Sequence, residues 1–156
     1  DVDILLRPGE KVSLYGHYQF ADYKHLFGKN ILLNACTGYL SDVYKFAPEL
    51  PRRCPILKQS DVASLSGGCQ ATVLSLPRCS VPTSAQIQSF QGDSSCQSFL
   101  RDTFGYANCY TAHRKDDNFF SGEWYVWLDK RIPLAEDHDR VLLLDATGAL
   151  VDEFVY

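Results

Sequence analysis

The six cysteines are the residues whose type and spacing say most about the chemistry of this chain. They are Cys36, Cys54, Cys69, Cys79, Cys96 and Cys109. All lie in a middle segment that is rich in Pro, Gly and Ser. Structural zinc sites usually hold cysteines separated by two to four residues, whereas nine residues separate the closest pair here, Cys69 and Cys79. The spacing therefore predicts disulfide bonds and no metal site.

Six cysteines can pair in fifteen ways, so the spacing alone does not fix the connectivity. We expect local pairing in chain order: Cys36–Cys54, Cys69–Cys79 and Cys96–Cys109. Each bond would close a loop of about ten to twenty residues and contribute roughly 2–4 kcal/mol. Disulfides persist in oxidising compartments, which indicates a secreted, periplasmic or cell-surface protein.

Catalytic groups are harder to find. A Cys–His pair needs a free thiolate, which oxidised cysteines would not supply to any of the four histidines, His17, His25, His113 and His138. The chain has no Gly-x-Ser-x-Gly elbow and no phosphate-binding loop. We therefore predict a non-enzymatic protein without a cofactor. The alternative is a secreted hydrolase, which a deep pocket with two convergent carboxylates of perturbed pKa would favour.

Two charge-rich segments, 113–118 and 136–139, could offer carboxylate oxygens to a calcium ion. Neither has the Asp-x-Asp-x-Asp-Gly spacing of a dedicated calcium loop. We expect solvated connections between strands, and whether calcium binds there stays open.

Length and composition indicate one folded domain. The chain has 156 residues, 46% of them hydrophobic, which is enough for a core. No apolar run approaches the ~18 residues of a membrane span. The chain has no methionine and no secretory signal at its start, so we expect it to begin inside a longer precursor.

The net charge of −4 opposes association with nucleic acid, and we predict no nucleic-acid partner. An accessory domain of a nuclease or DNA-uptake system is a further alternative. A continuous basic stripe that gathers Arg52, Arg53, Arg114 and Lys115 would favour it.

Alternating and apolar segments predict four strands and a possible fifth. Three lie near the end, Phe119–Leu128, Asp139–Asp145 and Ala149–Tyr156, and the last two would form a hairpin around Gly148. Another covers Lys11–Tyr15, and Ile31–Asn34 is a short buried strand or an apolar plug. Both faces of Val141–Leu144 are apolar, which is typical of a central strand covered on both sides.

The cysteine-rich segment contains helix signals. Ser60 or Asp61 could cap a helix that runs to about Leu76 and ends at Pro77. Thr83 or Ser84 could cap a short turn through Phe90, and Asp93 could cap a second helix through Phe104. We expect the remaining stretch, 106–117, to be a loop.

The end of the chain carries the pattern Gly-x-Trp…Asp-Arg-Val-x-Leu-x-Asp-x-x-Gly-x-x-Val-Asp-x-x-x-Tyr, from Gly122 to Tyr156. This pattern resembles the C-terminal strands of lamin-tail domains, and the Pro8-Gly9 turn before Lys11–Tyr15 is similar to a step in the same family. The resemblance covers residues 3–15 and 118–156. It implies a mainly β, immunoglobulin-like sandwich used for binding, in a secreted or envelope-anchored bacterial protein.

On this basis residues 1–156 form one lamin-tail-like domain, in which 17–117 is a disulfide-stapled helical insert (α+β overall). We predict an extracytoplasmic recognition or scaffold module that binds a protein or a glycan. The insert would carry the specificity, because aromatic and arginine side chains make binding hot spots. The candidate binding residues are Tyr39, Tyr44, Arg52, Arg53, Tyr106, Tyr110, Arg114 and Lys115. The ligand and the oligomeric state are left open.

Overall fold

A computed structural model describes residues 4, 6–16, 30–128, 132, 134 and 137–156. The predicted residues His17, His25 and Glu136 lie outside this part of the chain. The strands are β1 Lys11–Tyr15, β2 Asn30–Asn34, β3 Phe120–Trp127, β4 Arg140–Leu144 and β5 Leu150–Val155. The α-helices are α1 Gly67–Ser75, α2 Ser84–Gln88, α3 Ser94–Thr103 and α4 Tyr106–His113, and 3₁₀ turns cover Thr37–Asp42 and Gln59–Val62. The predicted mixture of strands and helices is confirmed.

β3 is the middle strand of a three-stranded sheet. It pairs parallel to β1, with Lys11 opposite Glu123, and antiparallel to β2, with Ile31 opposite Tyr125. Parallel neighbours need a long crossover connection, and here the crossover contains β2 and all four helices. The predicted strand at Ile31–Asn34 is therefore a member of the sheet.

β4 and β5 form the predicted hairpin. Val141 lies opposite Phe154, and Gly148 has a φ of +85° in the turn. The Asp145 carboxylate accepts hydrogen bonds from the backbone N–H groups of Thr147 and Ala149, at 2.8 and 2.9 Å. These bonds, together with one from the Thr147 hydroxyl, which has the largest effect, lower the pKa of Asp145. The side chain of Asp145 therefore reinforces a turn that two backbone hydrogen bonds, Asp145 N–H to the Ala149 carbonyl and Gly148 N–H to the Asp145 carbonyl, also close.

The hairpin differs from the prediction in its surroundings. Every residue of β4 and β5 is exposed, and no other strand in the described residues pairs with them. The prediction that Val141–Leu144 is covered on both sides is wrong, because an apolar pattern shows that a face is apolar and not what packs on it. The immunoglobulin-like sandwich is thus not confirmed and stays a prediction.

Two clusters of buried side chains form the core. The smaller cluster lies against the sheet and contains Leu33, Phe46, Leu50 and Trp127. The larger cluster lies among the helices and contains all six cysteines, with Tyr39, Val62, Val73, Leu100, Phe104 and Phe119. The six cysteines are therefore part of the buried core between the helices.

All six cysteines are oxidised, as predicted, but the predicted local pairing is wrong. The bonds are Cys36–Cys109, Cys54–Cys79 and Cys69–Cys96, so that the first encloses the other two in sequence. Their partners are separated by 73, 25 and 27 positions. On the chain-entropy model, closing such loops contributes roughly 3.5–4.5 kcal/mol each. The packing of the elements, and not proximity in sequence, decides which cysteines meet.

The Cys69–Cys96 bond shows how this packing arises. Ser66 caps α1 by accepting from the Cys69 N–H, and Asp93 caps α3 by accepting from the Cys96 N–H. The Ser66 hydroxyl donates to the Asp93 carboxylate at 2.7 Å, which is the main reason why the pKa of Asp93 is lowered. The two helix starts are therefore joined twice, by their caps and by their cysteines.

The helix boundaries differ from the predictions at two places. The predicted helix from residue 61 to Leu76 is divided into the Gln59–Val62 turn and α1, because Ser66 provides a second cap before Gly67. The stretch 106–117, predicted as a loop, contains α4. Gly105, with a φ of +92°, separates α3 from α4. The predicted caps Thr83 and Asp93 are confirmed.

Replacing Gly148 by alanine should destabilise the hairpin by about 1 kcal/mol, because an L side chain is strained at a positive φ. Amide hydrogen exchange in β4 and β5 should become faster. Gly67→Ala is the matched control, since Gly67 also faces open space but has no positive φ. Equal exchange in both variants would show that the turn does not need glycine.

Candidate functional site

A cleft of about 290 Å³ lies on the segment that follows the Thr37–Asp42 turn. We call it the 41–52 cleft, and its lining residues are Ser41, Tyr44, Lys45, Phe46, Glu49, Leu50 and Arg52. Two of the predicted binding residues, Tyr44 and Arg52, are among them. Lys45 and Glu49 were missed, although they stand in the same proline- and aromatic-rich run of sequence.

The back of the cleft is anchored in the smaller core cluster. Phe46 and Leu50 are buried against Trp127, with the Phe46 and Trp127 ring centroids 5.7 Å apart. The Trp127 indole N–H donates to the Ala47 carbonyl at 2.9 Å. One long segment without helix or strand is thus held to β3 by aromatic packing and one partly buried hydrogen bond.

The mouth of the cleft is polar and carries both signs of charge. Tyr44 is 49% exposed and its ring lies 6.2 Å from that of Phe46. Lys45, Glu49 and Arg52 are exposed, and none of them forms an ion pair within the described residues. Two cations and one anion line the same cleft as the Tyr44 ring, so the cleft presents a local positive charge on an acidic chain.

Arg53 has a different environment from its neighbour Arg52. Its guanidinium lies 2.7 Å from the Glu123 carboxylate on β3, and its backbone carbonyl accepts from the Gly38 N–H at 2.9 Å. Both side chains of the ion pair are about one-third exposed, so the pair contributes about 0.2–1 kcal/mol at most. Its role is to fix the end of the cleft segment to the sheet.

The three other predicted tyrosines lie in or beside the larger core cluster. Tyr39 is 6% exposed, and burial raises its pKa. The Tyr106 hydroxyl is 3.1 Å from the Asn34 side-chain amide, which donates to it. Tyr110 packs edge-on against Phe119, with centroids 5.3 Å apart. Tyr106 and Tyr110 thus join α4 to the ends of β2 and β3.

Arg114 and Lys115 are exposed just after α4, away from Tyr44 and Arg52 in sequence. The neighbouring His113 ring lies 2.8 Å from the Asp116 carboxylate. The eight predicted binding residues therefore lie in four places: the cleft, the larger core cluster, the ion pair with β3 and the end of α4.

Within the described ranges, no group of three or more His, Cys, Asp or Glu side chains is placed to hold a metal ion. No helix in the same ranges is both long enough and apolar enough to cross a bilayer.

Comparisons of the chain with family models, curated proteins and solved structures find no match. The functional assignment therefore depends on the geometry of the chain itself.

Gly38, which precedes the cleft segment, packs against the Cys54–Cys79 disulfide bond. A Cβ atom at this position would overlap the Cys79 sulfur, and it would lie 2.9 Å from both the Arg53 nitrogen and the Cys54 sulfur. The backbone of the Thr37–Asp42 turn therefore lies directly against the Cys54–Cys79 bond, and only glycine leaves room for that contact.

Gly38→Ala should destabilise the protein by about 1–3 kcal/mol, the usual penalty for overpacking. Urea denaturation of the oxidised protein measures the change in the free energy of unfolding. Gly68→Ala is the control, because the nearest atom to its added Cβ is 3.9 Å away. A Gly38→Ala protein as stable as the control would contradict this close packing.

Proposed function

We propose that this chain is a non-enzymatic recognition module of a secreted or cell-surface protein, and that it binds a partner protein through the 41–52 cleft. The observation that carries the proposal is the combination of half-exposed Tyr44 with Lys45 and Arg52, which have no ion-pair partner in the described residues. Tyrosine and arginine dominate binding hot spots.

Preorganisation supports the same assignment. A binding loop that is already ordered loses less conformational entropy when the partner arrives. Here Phe46, Leu50 and the Trp127 hydrogen bond hold the segment from behind, and the Cys54–Cys79 bond and Gly38 hold its ends. The exposed side chains therefore project from a fixed backbone.

The charge of the cleft favours an acidic protein surface as the partner. Two cations against one carboxylate give a local excess of positive charge, which attracts anionic groups and orients them during encounter. A glycan is the second candidate, because the Tyr44 ring could stack on a sugar while Ser41 and Glu49 offer hydrogen bonds. The protein and the glycan candidates are distinguished by identifying which class of molecule binds in the cleft.

The disulfides support the proposed compartment. Three disulfide bonds in a chain of this size favour an oxidising environment, in a secreted or cell-surface protein. The lamin-tail-like arrangement belongs to the same proposal. It is supported by the hairpin of β4 and β5, which has Gly148 in its turn.

The alternatives require other features. A secreted hydrolase needs two convergent carboxylates in a deep pocket, and the 41–52 cleft contains Glu49 as its one acid. A nuclease or DNA-uptake accessory domain needs a continuous basic surface, whereas Arg53 is paired with Glu123. The cleft therefore favours recognition over both.

Tyr44→Ala and Arg52→Glu should each weaken capture of the partner by about tenfold or more, as expected of hot-spot residues. Immobilised oxidised protein would be exposed to secreted and cell-surface material, and bound proteins and glycans would be identified and then titrated in purified form. Arg101→Glu is the matched control, because Arg101 is exposed on α3 and does not line the cleft.

Each variant must keep the melting temperature of the parent. Equal capture by Arg52→Glu and Arg101→Glu would contradict the site. Micromolar DNA binding near physiological salt would contradict the assignment itself. So would turnover that is lost when Asp116, Asp117 or Asp139 is changed to alanine.

A further inference from the structure

A second cavity, of about 280 Å³, shares no lining residue with the 41–52 cleft. We call it the Tyr39 groove. It is an open groove lined by Tyr39, the segment 55–57, the segment 73–80 at the end of α1, and Phe104. Its volume lies just below the roughly 300–1,000 Å³ of ligand pockets, which limits an occupant to a small molecule.

The walls of the groove are mostly hydrocarbon. Val73 and Phe104 belong to the larger core cluster. Ile56 is 69% exposed and Leu74 is 41% exposed at the edge. Apolar side chains that are partly open to solvent beside a cavity gain from being covered by an apolar ligand.

Tyr39 contributes a polar group to this apolar site. The residue is 6% exposed, and its hydroxyl makes no hydrogen bond to the described residues. In the described residues, Trp124 Nε1 is the one fully buried side-chain nitrogen or oxygen without a hydrogen-bond partner. The Tyr39 hydroxyl is therefore not fully buried, and it contacts open space. Tyr39 also lines a neighbouring cavity of about 150 Å³. A polar ligand atom in the groove would be able to hydrogen-bond to this accessible hydroxyl.

Arg78 is exposed at the edge of the groove and contributes a positive charge. One of its guanidinium nitrogens donates to the Cys54 carbonyl at 3.1 Å, which orients the group beside the Cys54–Cys79 bond. No carboxylate in the described part of the chain lies within ion-pair distance of it. Its other N–H groups can therefore donate hydrogen bonds to an anion. A planar guanidinium can bind a carboxylate through two parallel hydrogen bonds.

We infer that the Tyr39 groove is a binding site for a small carboxylic acid with an apolar body. The carboxylate pairs with Arg78, and the hydrocarbon body covers Ile56, Leu74 and Phe104. A polar atom of the ligand, or a water that the ligand holds, meets the Tyr39 hydroxyl. The site is separate from the proposed recognition cleft and does not depend on it.

The test uses 3-phenylpropionate as the probe, with 3-phenylpropanamide as its uncharged analogue. Binding to the oxidised protein is followed by isothermal titration and by chemical-shift changes of backbone amides. We expect the acid to bind at least about tenfold more tightly than the amide, with shifts in residues 55–57 and 73–80. Arg78→Gln should reduce acid binding to the level of the amide, whereas Arg101→Gln should leave it unchanged.

Tyr39→Phe separates binding from folding. It removes a hydroxyl that makes no hydrogen bond to the described residues, so the variant should melt close to the parent temperature while binding the acid several-fold more weakly. The inference is overturned if the acid and the amide bind equally. It is also overturned if neither saturates the protein below about 10 mM, or if Arg78→Gln keeps the preference for the acid.

Discussion

The three disulfide bonds are the constraint on which the rest of the helical segment depends. Its α-helices are 5 to 10 residues long, which is too short for independent stability in water. Cys69–Cys96 joins the capped starts of α1 and α3, Cys36–Cys109 joins the end of β2 to α4, and Cys54–Cys79 lies against Gly38. Both candidate sites adjoin that third bond: the 41–52 cleft ends beside it, and the Tyr39 groove includes Cys79.

The sheet supplies the second support. β2 and β3 are antiparallel neighbours with Asn34 opposite Phe120, so the helical segment leaves β2 and returns to β3 at the same end of the sheet. Phe46, Leu50 and the Trp127 hydrogen bond attach it to β3 from one side, and the Arg53–Glu123 ion pair attaches it again. The cleft therefore lies where the disulfide-bonded part and the sheet meet, and its backbone is held by both.

Local signals predicted the local structure well. Alternation located β1 and β3, glycine and turn residues located the hairpin, and Thr83 and Asp93 marked helix starts through their caps. Long-range features did not follow from the sequence. The cysteine pairing depends on which helices pack together, and α4 was missed because its aromatic residues lack a clear apolar periodicity. Tyr44 and Arg52 were selected by residue type, whereas Lys45 and Glu49 belong to the cleft only because Phe46 and Leu50 turn inward.

The most direct test of this account is amide hydrogen exchange with and without a reductant under otherwise native conditions. We expect reduction to remove protection from α1, α3 and α4 first, while β3 amides that pair with β1 and β2 stay protected for longer. This result would show that the stability of the helices depends on the disulfides, whereas the sheet is stabilised partly by the smaller core cluster. Helices that keep their protection after all three bonds are reduced would contradict the account, as would helices and sheet that lose protection together.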